Sequence, residues 1–178
     1  MLGGLLVYNP VMRKHRLEAI TAIALVLCRA PDLARAQGDP TATIVHIANR
    51  YQLIPNITYR TASNWDAKLD LYVPRGLNTP NPVLMFFHGG GWTAGTKESS
   101  AFTVLPYLQM GWTVVNVEYR LTDVALAPAA VEDTRCALRW VYRNAKQYNL
   151  DTSRIVTTGQ SAGGHLAMMT GKIGRAHV

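Results

Sequence analysis

The sequence predicts an α/β fold: a mostly parallel sheet that carries an antiparallel hairpin at its N-terminal end and has helices on both faces. Three runs of apolar and β-branched residues predict strands, of which the first is consistent with burial on both faces. They are Val83–Phe87, Trp112–Val117 and Arg154–Thr158. Segments with helical spacing separate these runs, and strands that alternate with helices are typical of βαβ units. The 178 residues suffice for one domain with a sizeable core.

Two segments before the first buried run alternate apolar and polar residues, as a strand with one solvent-facing side does. They are Ile57–Arg60 and Lys68–Val73, and Ala62–Asp66 between them supplies turn-forming residues. We therefore predict an antiparallel hairpin. Because no strong period precedes it, we expect residues 37–55 to be a linker and residues 56–172 to form the folded domain.

Three helices are expected between and after the buried strands. Phe102–Met110 has helical spacing and ends at Gly111, although Pro106 disfavours its first turn. Ala162–Thr170 follows the last buried strand directly. These two segments and a longer helix between them alternate with the strands, as βαβ units require.

The longer helix begins at Pro128, because proline is favoured in the first turn of a helix. Glu132 and Asp133 lie near its start, and Arg143 and Lys146 lie near its end. This order of charges complements the helix dipole. Its apolar stripe, spaced to face the core, consists of Ala130, Thr134, Ala137, Leu138, Val141 and Ala145.

The N-terminus has the pattern of a signal peptide. Arg13–Arg16 is basic, Leu17–Cys28 is apolar, and Ala34–Ala36 fits a cleavage site of small residues. We expect residues 1–36 to be this signal, with Met12 as an alternative start, and the protein to be periplasmic or secreted. The apolar run is too short for a stable membrane span. An uncleaved amphipathic helix or a membrane anchor is the alternative.

Charge and cysteine content exclude several classes of protein. The net charge is +7, and the first 36 residues carry five basic and two acidic residues of that balance. No basic stripe with interleaved aromatic residues is present, so we expect no nucleic-acid partner. Cys28 lies in the signal and Cys136 would remain alone, so we expect no intrachain disulfide. No His/Cys cluster has metal-ligand spacing, and we expect no metal and no cofactor.

The segment Gly159–Gly163 has the pattern of a nucleophile elbow. Ser161 stands between two glycines, directly after a predicted strand and before a predicted helix. Such a turn is tight, and glycines two residues from the serine on each side relieve the crowding. An ordinary turn with a serine N-cap is the alternative for this motif alone.

A second motif, His88–Trp92, follows the first buried strand. Its three consecutive glycines expose backbone N–H groups, which an oxyanion hole needs to stabilise the negative charge of a tetrahedral intermediate. The two motifs occur in the order expected for one fold. Together they favour a nucleophilic site over two unrelated turns.

With these motifs the chain resembles the α/β-hydrolase superfamily, in its branch of His-Gly-Gly-Gly esterases and lipases. It is most similar to the bacterial hormone-sensitive-lipase-like and feruloyl-esterase-like members, over roughly Ile57–Gly171. The resemblance implies a small-molecule ester substrate and Ser161 as the nucleophile. It implies an oxyanion hole from Gly90, Gly91 and Ala162, support by His88, Gly89, Gly159 and Gly163, and Trp92 as a possible wall of the substrate pocket.

In this superfamily the catalytic acid and histidine follow the serine. Only His165 and His177 follow Ser161 here, and His165 is on the same helix as the serine. The last six residues, Ile173–Val178, match the translation of a common sequencing adapter. We therefore expect a C-terminally truncated fragment that lacks the triad acid and base and is inactive.

Two acidic residues before the serine are assigned structural roles. Glu118 is expected to pair with Arg120, and Asp133 to act as a helix N-terminal acid. Two other functions stay open. One is a non-catalytic binding protein on a hydrolase scaffold, and the other is an amidase or peptidase of the same superfamily. The oligomeric state is not predicted.

Overall fold

The computed structural model describes residues 40–174 of the chain. The expected signal peptide at residues 1–36 lies outside the described residues, as do residues 175–178 of the C-terminal segment. The chain divides into two compact units, Met1–Ile44 and Val45–Val178. Of the first unit, only the start of one helix is described.

One mixed sheet organises the second unit, and its strand order is β1-β2-β4-β3-β5. β4, β3 and β5 run parallel, whereas β2 pairs antiparallel with both β1 and β4. This architecture confirms the predicted α/β fold. The strands are β1 Tyr51–Ala62, β2 Trp65–Pro74, β3 Asn81–Phe87, β4 Thr113–Val117 and β5 Leu150–Gly159.

The predicted hairpin is present, and it is longer than its alternating pattern indicates. β1 and β2 are joined at Ser63 and Asn64, which both have positive φ (54° and 53°). Paired positive φ values suit the right-handed twist of a hairpin. Residues 37–55, expected to be a linker, contain helix α1 (Pro40–Arg50) and the start of β1. Tyr51 is held there by tertiary contacts, since its hydroxyl donates to the carbonyls of Leu108 (2.8 Å) and Trp112 (2.9 Å).

The helices after β3 follow the predicted order with one correction. Only a short α2 (Leu105–Gln109) forms within the range of the helix expected over Phe102–Met110, and a 3₁₀ turn (Glu98–Ser100) precedes that range. Pro106 lies in the first turn of α2, where its missing N–H costs nothing, so the helix cannot extend backwards through it. The remaining helices are α3 (Ala129–Tyr148) and α4 (Ala162–Gly174). Within residues 40–174, no helix is long and apolar enough to cross a membrane.

Helices cover both faces of the sheet, as predicted, because successive side chains of a strand point to opposite sides. In β3, Val83, Met85 and Phe87 face α3 and α4, whereas Leu84 and Phe86 face the side of α1 and α2. All five are buried. β3 is therefore covered on both sides, and its C-terminal end is held in a fixed position within the core.

A buried ion pair fixes the loop between β4 and α3. The carboxylate of Asp133 is fully buried and accepts bonds from the Arg120 backbone N–H (2.9 Å), Nε (2.8 Å) and Nη2 (2.8 Å). Arg60 of β1 adds a fourth contact at 3.0 Å. The expected Glu118–Arg120 pair is therefore wrong. Asp133, the fifth residue of α3, binds Arg120 because the fold brings its carboxylate against that loop.

Replacing Asp133 with Ala should destabilise the fold by about 3–5 kcal/mol, because it leaves the buried Arg120 guanidinium without its buried carboxylate partner. Glu132→Ala is the matched control, since Glu132 is the neighbouring acid and its side chain is 48% exposed. That change should cost no more than about 1 kcal/mol. Urea unfolding of both variants measures the difference. Equal losses would contradict the assignment of Asp133 as the buried anchor.

Candidate active site

Ser161 lies at the sharp turn between β5 and α4. Its φ is +52°, a left-handed conformation that a non-glycine residue adopts only where its surroundings hold it. A Cβ at Gly159 would lie 2.5 Å from the Phe87 carbonyl oxygen, and one at Gly163 only 2.0 Å from it. Only glycine fits at these two positions. The tight turn places the Ser161 side chain on the exposed surface at the C-terminal end of the sheet.

The triple-glycine loop, residues 88–97, leaves β3 beside this turn. Gly90 and Gly91 have φ values of +119° and +60°, and a Cβ at Gly90 would lie 1.9 Å from the Ala94 carbonyl oxygen. The Gly90 carbonyl accepts bonds from the N–H groups of Thr93 (3.1 Å) and Ala94 (3.0 Å). A Cβ at Gly89 would lie 2.9 Å from the carbonyl oxygen of Gln160, the residue before the serine. The two sequence motifs are therefore in direct contact.

Three backbone donors lie in the two segments that form this contact. Within residues 40–174, the N–H groups of Gly90, Gly91 and Ala162 donate to no protein acceptor. Ala162 is the first residue of α4, where the helix dipole adds positive potential. Unpartnered N–H groups beside an exposed serine hydroxyl suit the binding of a developing oxyanion.

His88 lies beneath the loop and is 1% exposed. Its Nδ1 donates to the Gly89 carbonyl (2.7 Å), since a carbonyl can only accept. Its ring stacks on Tyr119 at 4.3 Å, and the Tyr119 hydroxyl donates to the His88 carbonyl (2.8 Å). Burial lowers the pKa of His88 and raises the pKa of Tyr119 to about 12. Both groups therefore stay neutral at pH 7, and they brace the start of the loop.

Trp92 forms one wall of a cavity of about 290 Å³ beside the turn. The indole is 38% exposed and meets the His165 ring edge-on, with centroids 5.5 Å apart. His165 and Trp92 thus contact each other and line the same cavity. Small and apolar side chains contribute much of the remaining lining: Ala125, Ala127, Pro128, Ala130 and Val131.

A buried lysine at the far end of the loop was not predicted from the sequence. Lys97 is 1% exposed, and its Nζ lies 3.1 Å from Asp70 Oδ1 and also contacts Glu98 Oε1. Its carbonyl accepts a bond from Asn116 Nδ2 (2.6 Å). The lysine stands between Thr96 and Glu98, a polar context that predicts exposure, so no local pattern reveals this anchor. In the described part of the chain, no group of His, Cys, Asp and Glu is placed to hold a metal ion.

Gly163→Ala should destabilise the fold by about 1–3 kcal/mol or more, because the new methyl group overlaps the Phe87 carbonyl. Gly164→Ala, one residue along the same helix, is the matched control. Its Cβ would lie 3.4 Å from the Gly159 carbonyl oxygen, an ordinary contact, and alanine favours the helix by about 1 kcal/mol. Denaturant unfolding should separate the two variants, and a tolerated Gly163→Ala would refute the close contact.

A family model described as BD-FAE matches residues 69–177. Carboxylesterase NlhH of Mycobacterium tuberculosis is 33% identical over 111 residues, which are 62% of this chain and 35% of that protein. The arylesterase of Saccharolobus solfataricus is 37% identical over 98 residues, which are 54% of this chain and 32% of that protein. The chain thus spans about a third of the length of these curated relatives.

Solved esterase structures share the fold. An esterase of Pyrobaculum calidifontis is 30% identical with a TM-score of 0.64, over 76% of this chain and 45% of that chain. A bacterial heroin esterase is 29% identical with a TM-score of 0.61, over 83% of this chain and 54% of that chain. The aligned parts cover most of this chain and about half of each solved structure.

Proposed function

Because this chain belongs to the BD-FAE family and has the α/β-hydrolase fold, we propose that the complete protein is a serine carboxylic-ester hydrolase. Its curated relatives include a carboxylesterase and an arylesterase. The observation that carries the proposal is the position of Ser161. It combines a positive φ and an exposed side chain with three unpartnered N–H groups of the neighbouring backbone.

In the proposed reaction, Ser161 Oγ attacks the ester carbonyl while a base takes its proton. The carbonyl oxygen becomes an oxyanion, to which Gly90, Gly91 and Ala162 donate. Collapse of this intermediate breaks the bond to the alcohol, which leaves with a proton from the base, and forms an acyl-enzyme. Water then attacks the acyl-enzyme by the same route and releases the acid.

The described histidines do not supply the base in this proposal. His88 is buried with its Nδ1 bound to Gly89, and the His165 ring packs against Trp92. Serine at its ordinary pKa needs an adjacent base to become a nucleophile. We therefore propose that the triad acid and histidine come from sequence beyond residue 174 in the complete protein. The short span relative to the curated relatives supports this assignment.

The substrate proposed is a small-molecule ester. The cavity beside Trp92 is mainly walled by small apolar side chains, which suits an uncharged part of such a molecule. We also propose export through the signal peptide that the sequence predicts at residues 1–36. These residues lie outside the described structure.

Ser161→Ala in the complete protein should reduce kcat for p-nitrophenyl esters by about 10³-fold or more, since the nucleophile is removed. Ser153→Ala is the matched control, because Ser153 is also an exposed serine associated with β5. It should leave kcat unchanged. Parallel assays with p-nitroanilides distinguish an amidase. An inactive parent protein would instead favour a binding function on the same scaffold.

A polypeptide of these 178 residues alone should show no Ser161-dependent ester turnover, because its described part holds no base bonded to the serine. Active-site titration with a fluorophosphonate, compared between this polypeptide and its Ser161→Ala variant, measures serine reactivity directly. Equal background labelling of both is expected. Turnover or labelling that depends on Ser161 would show that a base is present within the chain.

A further inference from the structure

The triple-glycine loop needs anchors outside itself to hold its N–H groups in place. Glycine is the most conformationally free residue, so Gly89–Gly91 cannot fix their own orientation. An oxyanion hole contributes to catalysis only when its donors are oriented before the reaction. His88 and Tyr119 brace the start of the loop. The far end of the loop therefore needs an anchor as well.

Lys97 is the one Lys, Arg, Asp or Glu in residues 88–97, and it is buried at that far end. Its ammonium pairs with Asp70 of β2 and its carbonyl binds Asn116 of β4. Asp70 and Asn116 are cross-strand partners in the β2–β4 register. Both ends of the residue are thus attached to adjacent central strands.

Asp70 is held from a second direction. Its Oδ1 accepts a bond from the backbone N–H of Asn56 (2.8 Å), at a shift of register in the β1–β2 pairing. Asn56 has a positive φ of 57°. The irregular backbone of β1 therefore directs the Asn56 N–H at Asp70. This bond fixes the position of the carboxylate that pairs with Lys97.

Close contacts within the loop connect the end at Lys97 to the glycines. A Cβ at Gly95, two residues before Lys97, would lie 2.4 Å from the Gly89 carbonyl and 2.6 Å from His88 Nδ1. The last part of the loop therefore lies directly on the residues that precede Gly90. A displacement of Lys97 would move Gly95 away from His88 and Gly89. The N–H groups of Gly90 and Gly91 would then lose their fixed orientation.

We propose that Lys97 is a positioning residue for the ester hydrolysis proposed above, and that its contacts with Asp70 and Asn116 orient the oxyanion donors of Gly90 and Gly91. A buried ion pair is often no more stabilising than an apolar pair of similar volume. Its role here is to define where the loop ends. This inference rests on the proposed function.

The test is Asp70→Asn/Lys97→Met in the complete protein, which neutralises both partners and leaves no unpaired charge. The variant should remain folded by circular dichroism. Its kcat should be about 10- to 100-fold lower and its KM within about threefold of the parent's, because misplaced donors stabilise the transition state less but bind the substrate almost as well. Hydrogen exchange of residues 89–95 should accelerate. Glu98→Gln is the matched control: Glu98 also contacts Nζ, but its side chain is 63% exposed. It should change kcat by less than about twofold.

A folded double variant with parental kcat and parental exchange would overturn the proposal. If the double variant does not fold, Asn116→Ala removes only the bond to the Lys97 carbonyl and should lower kcat at unchanged KM. Unchanged kcat there would overturn the proposal equally. If the parent protein hydrolyses no ester, the proposed function fails. The exchange rates of the loop then still decide whether Lys97 anchors it.

Discussion

The contact between the turn at Ser161 and the end of β3 is the constraint on which the candidate site depends. The Phe87 carbonyl lies where any side chain at Gly159 or Gly163 would be. This approach draws β5 and the start of α4 against β3. It also places the residues that follow β3, which are the triple-glycine loop, beside the serine. One backbone contact therefore brings together two motifs that are about seventy residues apart in the chain.

Two buried ion pairs hold the loops around that contact. Arg120 and Asp133 fix the segment between β4 and α3, which lines the cavity beside Trp92. Lys97 and Asp70 fix the end of the loop that follows β3. Neither pair contacts Ser161 in the described residues. Each pair attaches irregular backbone to a regular element, which is α3 for the segment after β4 and β2 for the loop after β3.

The burial of β3 was predictable, because its short apolar run is uninterrupted. Val83–Phe87 is apolar at every position, which indicates burial on both sides, and the structure has both faces of β3 covered. The length of the helix expected over Phe102–Met110 was overestimated. Its apolar spacing begins before Pro106, but the helix itself cannot extend backwards through that proline. The partner of Arg120 was also misjudged. Pairing depends on which acid the fold brings within reach, and sequence proximity to Glu118 carried no information about that.

The sequence by itself determined the fold class, the order of the elements and the two glycine motifs, because periodicity and the steric needs of tight turns are local properties. Only the tertiary structure decided that Lys97 is buried, that Asp133 takes Arg120, and that His165 faces Trp92. These contacts join residues from different strands and helices. Their energies depend on burial and distance in the folded chain, and no local pattern encodes either quantity.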